Sequence, residues 1–332
     1  MSRLEQPVQG ALASRSTPVL FIAGSIRSGS TLLDRMLGAV PGLVSTGEVR
    51  FVWERWAGTG CRCGCGRPMR ACPFWSQVFD HAFGRHSAET AEDLARIQRR
   101  IDQWWRLPQL RSTRGSVSWN GDLGLFLEAL RTLYTAIREV SGADVVVDSS
   151  KGSSYGQLLA LAGPPLSVHV VHLVRDPRAI VYSVTRRRKV DPGTGRELDS
   201  GGTIATAAAW SVSNVLVASL RAQSAAYRVL FYEDLVRNPI EALTGVLRMA
   251  HVSDRPLPFV GDREIHIGTD HLVAGNPNRF QRGRVRIAPD EEWRRHLPAA
   301  ARTVTSGLTW PVRGLLAADP RRLRPSGTRR AA

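Results

Sequence analysis

The chain has 332 residues, enough for one large α/β domain or two smaller ones, and its 43% apolar fraction excludes an intrinsically disordered chain. No uninterrupted run approaches the roughly 18 apolar residues that cross a bilayer, and the apolar stretch at 18–24 is too short for a signal-peptide core, so the expectation is a soluble, cytoplasmic protein. The formal charge of +16 points to polyanions or to one small, highly charged anion; residues 313–332 carry six arginines against one acid, Asp319, and are expected to form a basic, disordered tail.

In chain order, residues 1–16 lack periodicity and read as a mobile leader. A strand is expected over 19–23, and Leu32, Leu33, Met36 and Leu37 give the helix that follows one apolar face. From 49 to 143 the pattern turns helical. Leu94, Ile97, Ile101 and Trp104, then Phe126, Leu127, Leu130, Leu133 and Ile137, recur at three-and-four spacing, which predicts a mostly helical insertion. All four cysteines lie in "CRCGCGRPMRACPFW", as Cys61, Cys63, Cys65 and Cys72. The cluster admits a structural zinc site or thiols that stay reduced or oxidise reversibly. Its C-x-C-x-C spacing differs from the C-x₂-C pair of common zinc ribbons, and none of the four reads as a nucleophile.

Three more β-branched runs begin at 144, 167 and 227, each followed by a helical pattern, the last over about 239–250. Continuous apolar runs of this kind are buried parallel strands joined by crossover helices. His169 and His172, inside the second run, read as core histidines. The expected fold is a single α/β domain over 17–312, P-loop-like, with a central parallel sheet flanked by helices and a helical insertion after the first βα unit. The charged, glycine-rich stretch 186–203 reads as a lid or a solvated surface loop.

Two places suit tetrahedral anions. In "FIAGSIRSGSTLLDRMLG", Gly24, Gly29 and Thr31 fit the phosphate loop G-x-x-x-x-G-K-[ST], with Ser30 at the lysine position. A strand–loop–helix turn aims backbone N–H groups and the positive end of a helix at one point. Gly29 lets the backbone approach, Ser30 and Thr31 add hydroxyls, and Arg27 supplies charge. In "HLVRDPRAIVYS", Arg175 sits at a strand's carboxyl end, Asp176-Pro177 opens a helix, and Ser183 lies two turns along it, so that Arg175 and Ser183 can grip a second phosphate. Asp148 in "VVVDSSKGS" admits two readings, a metal-holding aspartate or a strand-end cap that orients Lys151.

"IRSGSTLL" resembles the 5′-phosphosulfate loop of the sulfotransferases that use 3′-phosphoadenosine 5′-phosphosulfate (PAPS), and "LVRDPRAIVYS" resembles their 3′-phosphate motif, with the same Arg-to-Ser spacing. The likeness extends to "FYEDLVRNP" and "HLVAGNPNRFQRGRV". It implies transfer of a sulfuryl group from PAPS to a hydroxyl or amine of a small-molecule, carbohydrate or lipid acceptor, with PAP as product and no metal required. Carried over, Arg27, Ser28, Gly29, Ser30 and Thr31 hold the phosphosulfate, Arg175 and Ser183 the 3′-phosphate, and Arg279, Arg282 and Gly283 close over it. Lys151 resembles the lysine aimed at the bridging oxygen. Cytosolic animal members have a loop lysine and a histidine base. This chain has Arg27, as in bacterial members and protein-tyrosine sulfotransferases, which implies Glu48 as the base, with Asp148 as the alternative and His271 as a further candidate. Trp53, Trp56 and Trp75 read as core or as lining of an acceptor or adenine pocket. Two other classes stay open: a P-loop kinase or nucleotide hydrolase needing ATP and magnesium, disfavoured by the missing lysine, and a non-enzymatic polyanion-binding protein. No nucleic-acid partner is expected.

Overall fold

A computed structural model describes residues 16–112, 121–186 and 201–323. Five parallel strands form the central sheet: β1 (Thr17–Gly24), β2 (Leu43–Ser45), β3 (Val145–Lys151), β4 (Leu166–Val174) and β5 (Ala226–Phe231), in the order β2-β3-β1-β4-β5. The alternation of β1 explains its central place. Val19, Phe21 and Ala23 face one helical layer, and Leu20 and Ile22 face the other, so both faces are buried. Burial of a Leu, Ile or Phe contributes about 1.5–3 kcal/mol, which is why the apolar runs, not local propensity, fix these strands.

The helices Pro73–Phe83, Ser87–Ile101 and Asp122–Ser141 make up most of the insertion between β2 and β3. They bury the aromatic group Trp53, Trp56, Trp75 and Phe79, with Trp56 stacked on Phe79 at 4.0 Å between centroids. These tryptophans are core. The other face of the sheet is covered by the helices Ser30–Gly38 and Pro239–Met249. A second sheet of three short antiparallel strands, β6 (Phe259–Gly261), β7 (Glu264–Ile267) and β8 (Gly283–Arg286), lies beyond them.

Several expectations change. β2, only three residues long, and the small sheet gave no pattern readable in the sequence. Residues 313–323 are not a disordered tail: the helix Ala299–Ala318 runs through Arg313 and buries Leu316, and the segment after it pairs with β5 through Val229 N–H to the Arg321 carbonyl (3.2 Å) and Leu323 N–H to the Val229 carbonyl (2.8 Å). The segment Thr203–Ala222 is long and apolar enough to span a bilayer by composition, which the run-length reading did not anticipate. Its Ala207, Trp210, Asn214 and Val217 are buried in the fold, and Asn214 Oδ1 accepts from His172 Nε2–H at 2.8 Å. His172 also meets Tyr227 Oη at 2.6 Å, and His169 Nδ1 lies 3.1 Å from the Met249 carbonyl, so both are core histidines. The leader and most of the 186–203 stretch lie outside the described residues.

Candidate active site

Strand order gathers the motifs. With all five strands parallel, every following loop opens at the same sheet edge, where α/β folds bind ligands. β1 delivers 24–31, β2 Glu48, β3 Lys151, β4 Arg175 and β5 Tyr232.

The phosphate loop ends at Gly29, whose φ of 95° is left-handed, and no side chain caps the helix Ser30–Gly38. Its first N–H groups are therefore open to an anion. Only glycine fits there, because a Cβ would lie 2.5 Å from the Tyr232 ring. The hydroxyls of Ser25 and Ser28 and the Nε of Arg175 are buried without a hydrogen-bond partner among the described residues. Buried polar groups are normally paired, so these fit anionic ligand groups, the two hydroxyls at the loop and the guanidinium on its flank.

Arg27 and Lys151 are two of three non-glycine residues in the left-handed region among the described residues, at φ 59° and 65°. Such geometry costs about 1–2 kcal/mol per residue, and here it turns the chain at the ends of β1 and β3. Lys151 Nζ forms an ion pair with Glu48 Oε1 at 2.5 Å, and both side chains are mostly but not wholly buried. The Cβ position of Gly275 lies 3.1 Å from Thr31 Oγ1 and 3.9 Å from Glu48 Oε1, so the pair sits beside the phosphate loop.

Two buried aspartates brace this arrangement. Asp34, in the loop's helix, accepts from Ser45 Oγ at 2.7 Å and Ser149 Oγ at 2.8 Å, tying the helix to β2 and β3. Burial raises its pKa to about 7, against the lowering effect of the two serines. Asp148 accepts from Tyr134 Oη (2.5 Å), Ser150 N–H (2.8 Å) and Ser150 Oγ (2.5 Å), while Ser150 Oγ accepts from Arg50 N–H at 2.9 Å. Burial raises Asp148 to about 6. It is fully enclosed and holds the backbone after Glu48 against the end of β3.

On the other flank, Arg175 donates to the Arg27 carbonyl (3.0 Å) and to Asp290 (2.8 Å), and its guanidinium lies 4.5 Å from the centroid of the Tyr232 ring. Asp176 caps the helix Pro177–Thr185 by accepting from Arg178 N–H at 2.9 Å. Burial would raise its pKa, but the Arg178 fork holds it below the usual value. Ser183 is half-buried two turns along that helix. A cavity of about 230 Å³ flanks Arg175, walled by Arg178, Glu233, Arg294 and Arg313, and it does not reach Glu48 or Lys151.

The structure separates the last set. Arg279 is buried and donates to the Gly275 carbonyl at 2.6 Å, on the Thr31 side; Arg282 is exposed and donates to the Cys65 carbonyl at 2.9 Å; Gly283 opens β8. Tyr232, which floors both Gly29 and Arg175, was missed as a site residue, although its place directly after the third apolar run was a readable signal. Cys61 stands outside the cysteine cluster, whose fourth member is His271.

A sulfotransferase family model matches residues 18–256, and the chain belongs to that family. Among solved structures it is similar to the sulfotransferase domain of the Synechococcus PCC 7002 olefin synthase, at 22% identity and TM-score 0.47 over 92% of this chain and 98% of that one. The sulfotransferase domain from the curacin biosynthetic pathway matches at 17% identity and TM-score 0.47, over 89% and 99%. The sulfotransferase STF1 from Mycobacterium tuberculosis H37Rv matches at 16% and 0.36, over 72% and 68%. No curated protein matches the chain.

Proposed function

We propose that this sulfotransferase uses PAPS and transfers its sulfuryl group to a hydroxyl or amine of a small-molecule, carbohydrate or lipid acceptor, with Glu48 as the base. The observation that carries the reading is the Glu48–Lys151 ion pair beside Thr31, a base and a compact cation delivered from different strands to the mouth of an anion loop. PAPS, when bound, supplies a sulfuryl group on a phosphate leaving group. Backbone N–H groups of 28–31 and the hydroxyls of Ser28, Ser30 and Thr31 hold its oxygens. Arg27 offsets their charge, and Arg175 with Ser183 holds the 3′-phosphate. Lys151, drawn from Glu48 to the oxygen that takes up negative charge, would leave the carboxylate to accept the acceptor's proton as the acceptor's oxygen or nitrogen bonds to sulfur and the S–O bond to the phosphate breaks. Asp148 is disfavoured as the base because its carboxylate is enclosed and already occupied.

Calorimetric titration with PAP in the absence of magnesium tests the cofactor. Wild type and Glu48→Gln are expected to bind, Arg175→Ala and the milder Ser183→Ala to bind weakly or not at all. Transfer of label from PAPS to a panel of hydroxyl and amine acceptors should fall about 10²–10⁴-fold in Glu48→Gln. A wild type that ignores PAP but binds ATP with magnesium would overturn the reading in favour of a kinase or hydrolase.

A further inference from the structure

Outside the transfer chemistry, the insertion and the segment 268–283 meet at one polar cluster. Sγ of Cys63, Cys65 and Cys72 and a ring nitrogen of His271 all lie within 4.8 Å of one another. His271 Nδ1 is 3.2 Å from Cys72 Sγ and 3.8 Å from Cys63 Sγ. In a tetrahedral zinc site with Zn–S near 2.3 Å and Zn–N near 2.0–2.1 Å, ligand atoms stand about 3.5–3.8 Å apart, so the group needs little movement to close on an ion.

The surroundings are those of a ligand set already oriented. The turn 63–66 is closed by Gly66 N–H to the Cys63 carbonyl at 2.8 Å, and Cys63 N–H donates to the Arg67 carbonyl at 2.9 Å. Phe74 stacks on the His271 ring at 5.0 Å and 23°, and Trp75 Nε1 donates to the His271 carbonyl at 2.7 Å, fixing the ring from two sides. None of the four residues has a part in the transfer proposed above.

We infer that Cys63, Cys65, Cys72 and His271 form a structural zinc site that staples the segment 268–283 to the helical insertion. Three sulfurs and one imidazole with no ligand position left open suit Zn²⁺ in a structural role. The short C-x-C spacing works because the fourth ligand comes from 199 residues further along the chain. The staple has reach. Gly64 N–H donates to the Leu272 carbonyl at 2.9 Å, Val273 N–H to Thr46 at 2.9 Å, and Asn276 N–H to Thr31 Oγ1 at 3.1 Å. Zinc would therefore fix, through one short segment, the backbone beside both Glu48 and the phosphate loop. That second role rests on the proposed PAPS reading; the metal site does not.

The test is metal analysis of the full chain purified under reducing conditions from zinc-supplemented cells. About one zinc per chain is expected, with X-ray absorption giving three sulfur ligands and one nitrogen. Cys61→Ser should keep the metal, Cys65→Ser and His271→Ala should lose it, and His271→Cys should restore it. A wild type with less than about 0.1 equivalent that takes up no added zinc, or that carries iron or a Cys63–Cys72 disulfide instead, overturns the site. So does a Cys61→Ser loss equal to that of Cys65→Ser. Should the ligand variants fail to fold, the wild-type stoichiometry and absorption spectrum decide alone. Stripping the metal with a chelator should weaken PAP binding at least about tenfold and open 268–283 to proteases. Unchanged PAP affinity and protection overturn the staple. Zinc-loaded wild type that never binds PAP overturns the proposed function and leaves the metal site standing.

Discussion

Asp34 shows how a single residue sets a condition for the whole site. Its carboxyl is fully buried between Ser45 and Ser149, and burial lifts its pKa from 3.8 to about 7. Between those values the unfolded chain releases this proton while the folded chain keeps it. The folded state then binds more protons, and stability falls as pH rises from about 4 to about 7, by an amount on the order of a few kcal/mol at the upper end. Asp34→Asn removes that loss. Its Tm relative to wild type is expected to climb across this window and level off above about pH 7, as read by thermal melts in a pH series; a flat difference would mean Asp34 is ionised throughout. His172, held neutral with its pKa lowered to about 4 by burial, acts in the opposite direction and is common to both proteins. The phosphate-loop residues and Arg175 were readable because each sits directly after an apolar run. Asp34's partners were not, since Ser45 and Ser149 lie 11 and 115 residues away.

At the scale of elements, the long apolar runs declared themselves and the short ones did not. β1, β3, β4 and β5 span six to nine residues and each carries an apolar run, that of β3 being Val145–Val147, whereas β2 has three residues in all and exists because β3 offers it an edge. Composition misled about the chain's end. Arginines at 321 and 322 read as solvated charge, but Arg322 pairs with Asp234 at 2.7 Å and stacks 4.3 Å from the Phe231 centroid, while its backbone lies beside β5. A chain ending at 312 loses the burial of Leu316 and this edge pairing, and its Tm is expected to fall by roughly 5 °C or more, while one ending at 323 should melt with the wild type. Equal melting of all three would return 313–323 to the status of a passive tail.

For the molecule as a whole, the +16 charge acts on approach more than on grip. Much of the excess is spread over the surface, where salt screens it within about 10 Å at 0.1 M, while Arg175 and the loop N–H groups are sheltered. Raising salt from about 0.05 to 0.5 M should cut the PAP association rate about tenfold or more and leave dissociation nearly unchanged in stopped-flow measurements. Equal effects on both rates would place the charge in the contact itself. By itself the sequence determined the parallel α/β core, the glycine turn between β1 and its helix, the place of Arg175 at the end of β4 and the family, because these depend on neighbours in the chain: an apolar run, then a turn, then a helix start. Only the tertiary structure decided which groups meet across the sheet's edge. Glu48 finds Lys151 from 103 residues away, Tyr232 floors Gly29, and His271 replaces Cys61 beside three cysteines, because strand order, not sequence distance, sets what lies within hydrogen-bonding reach.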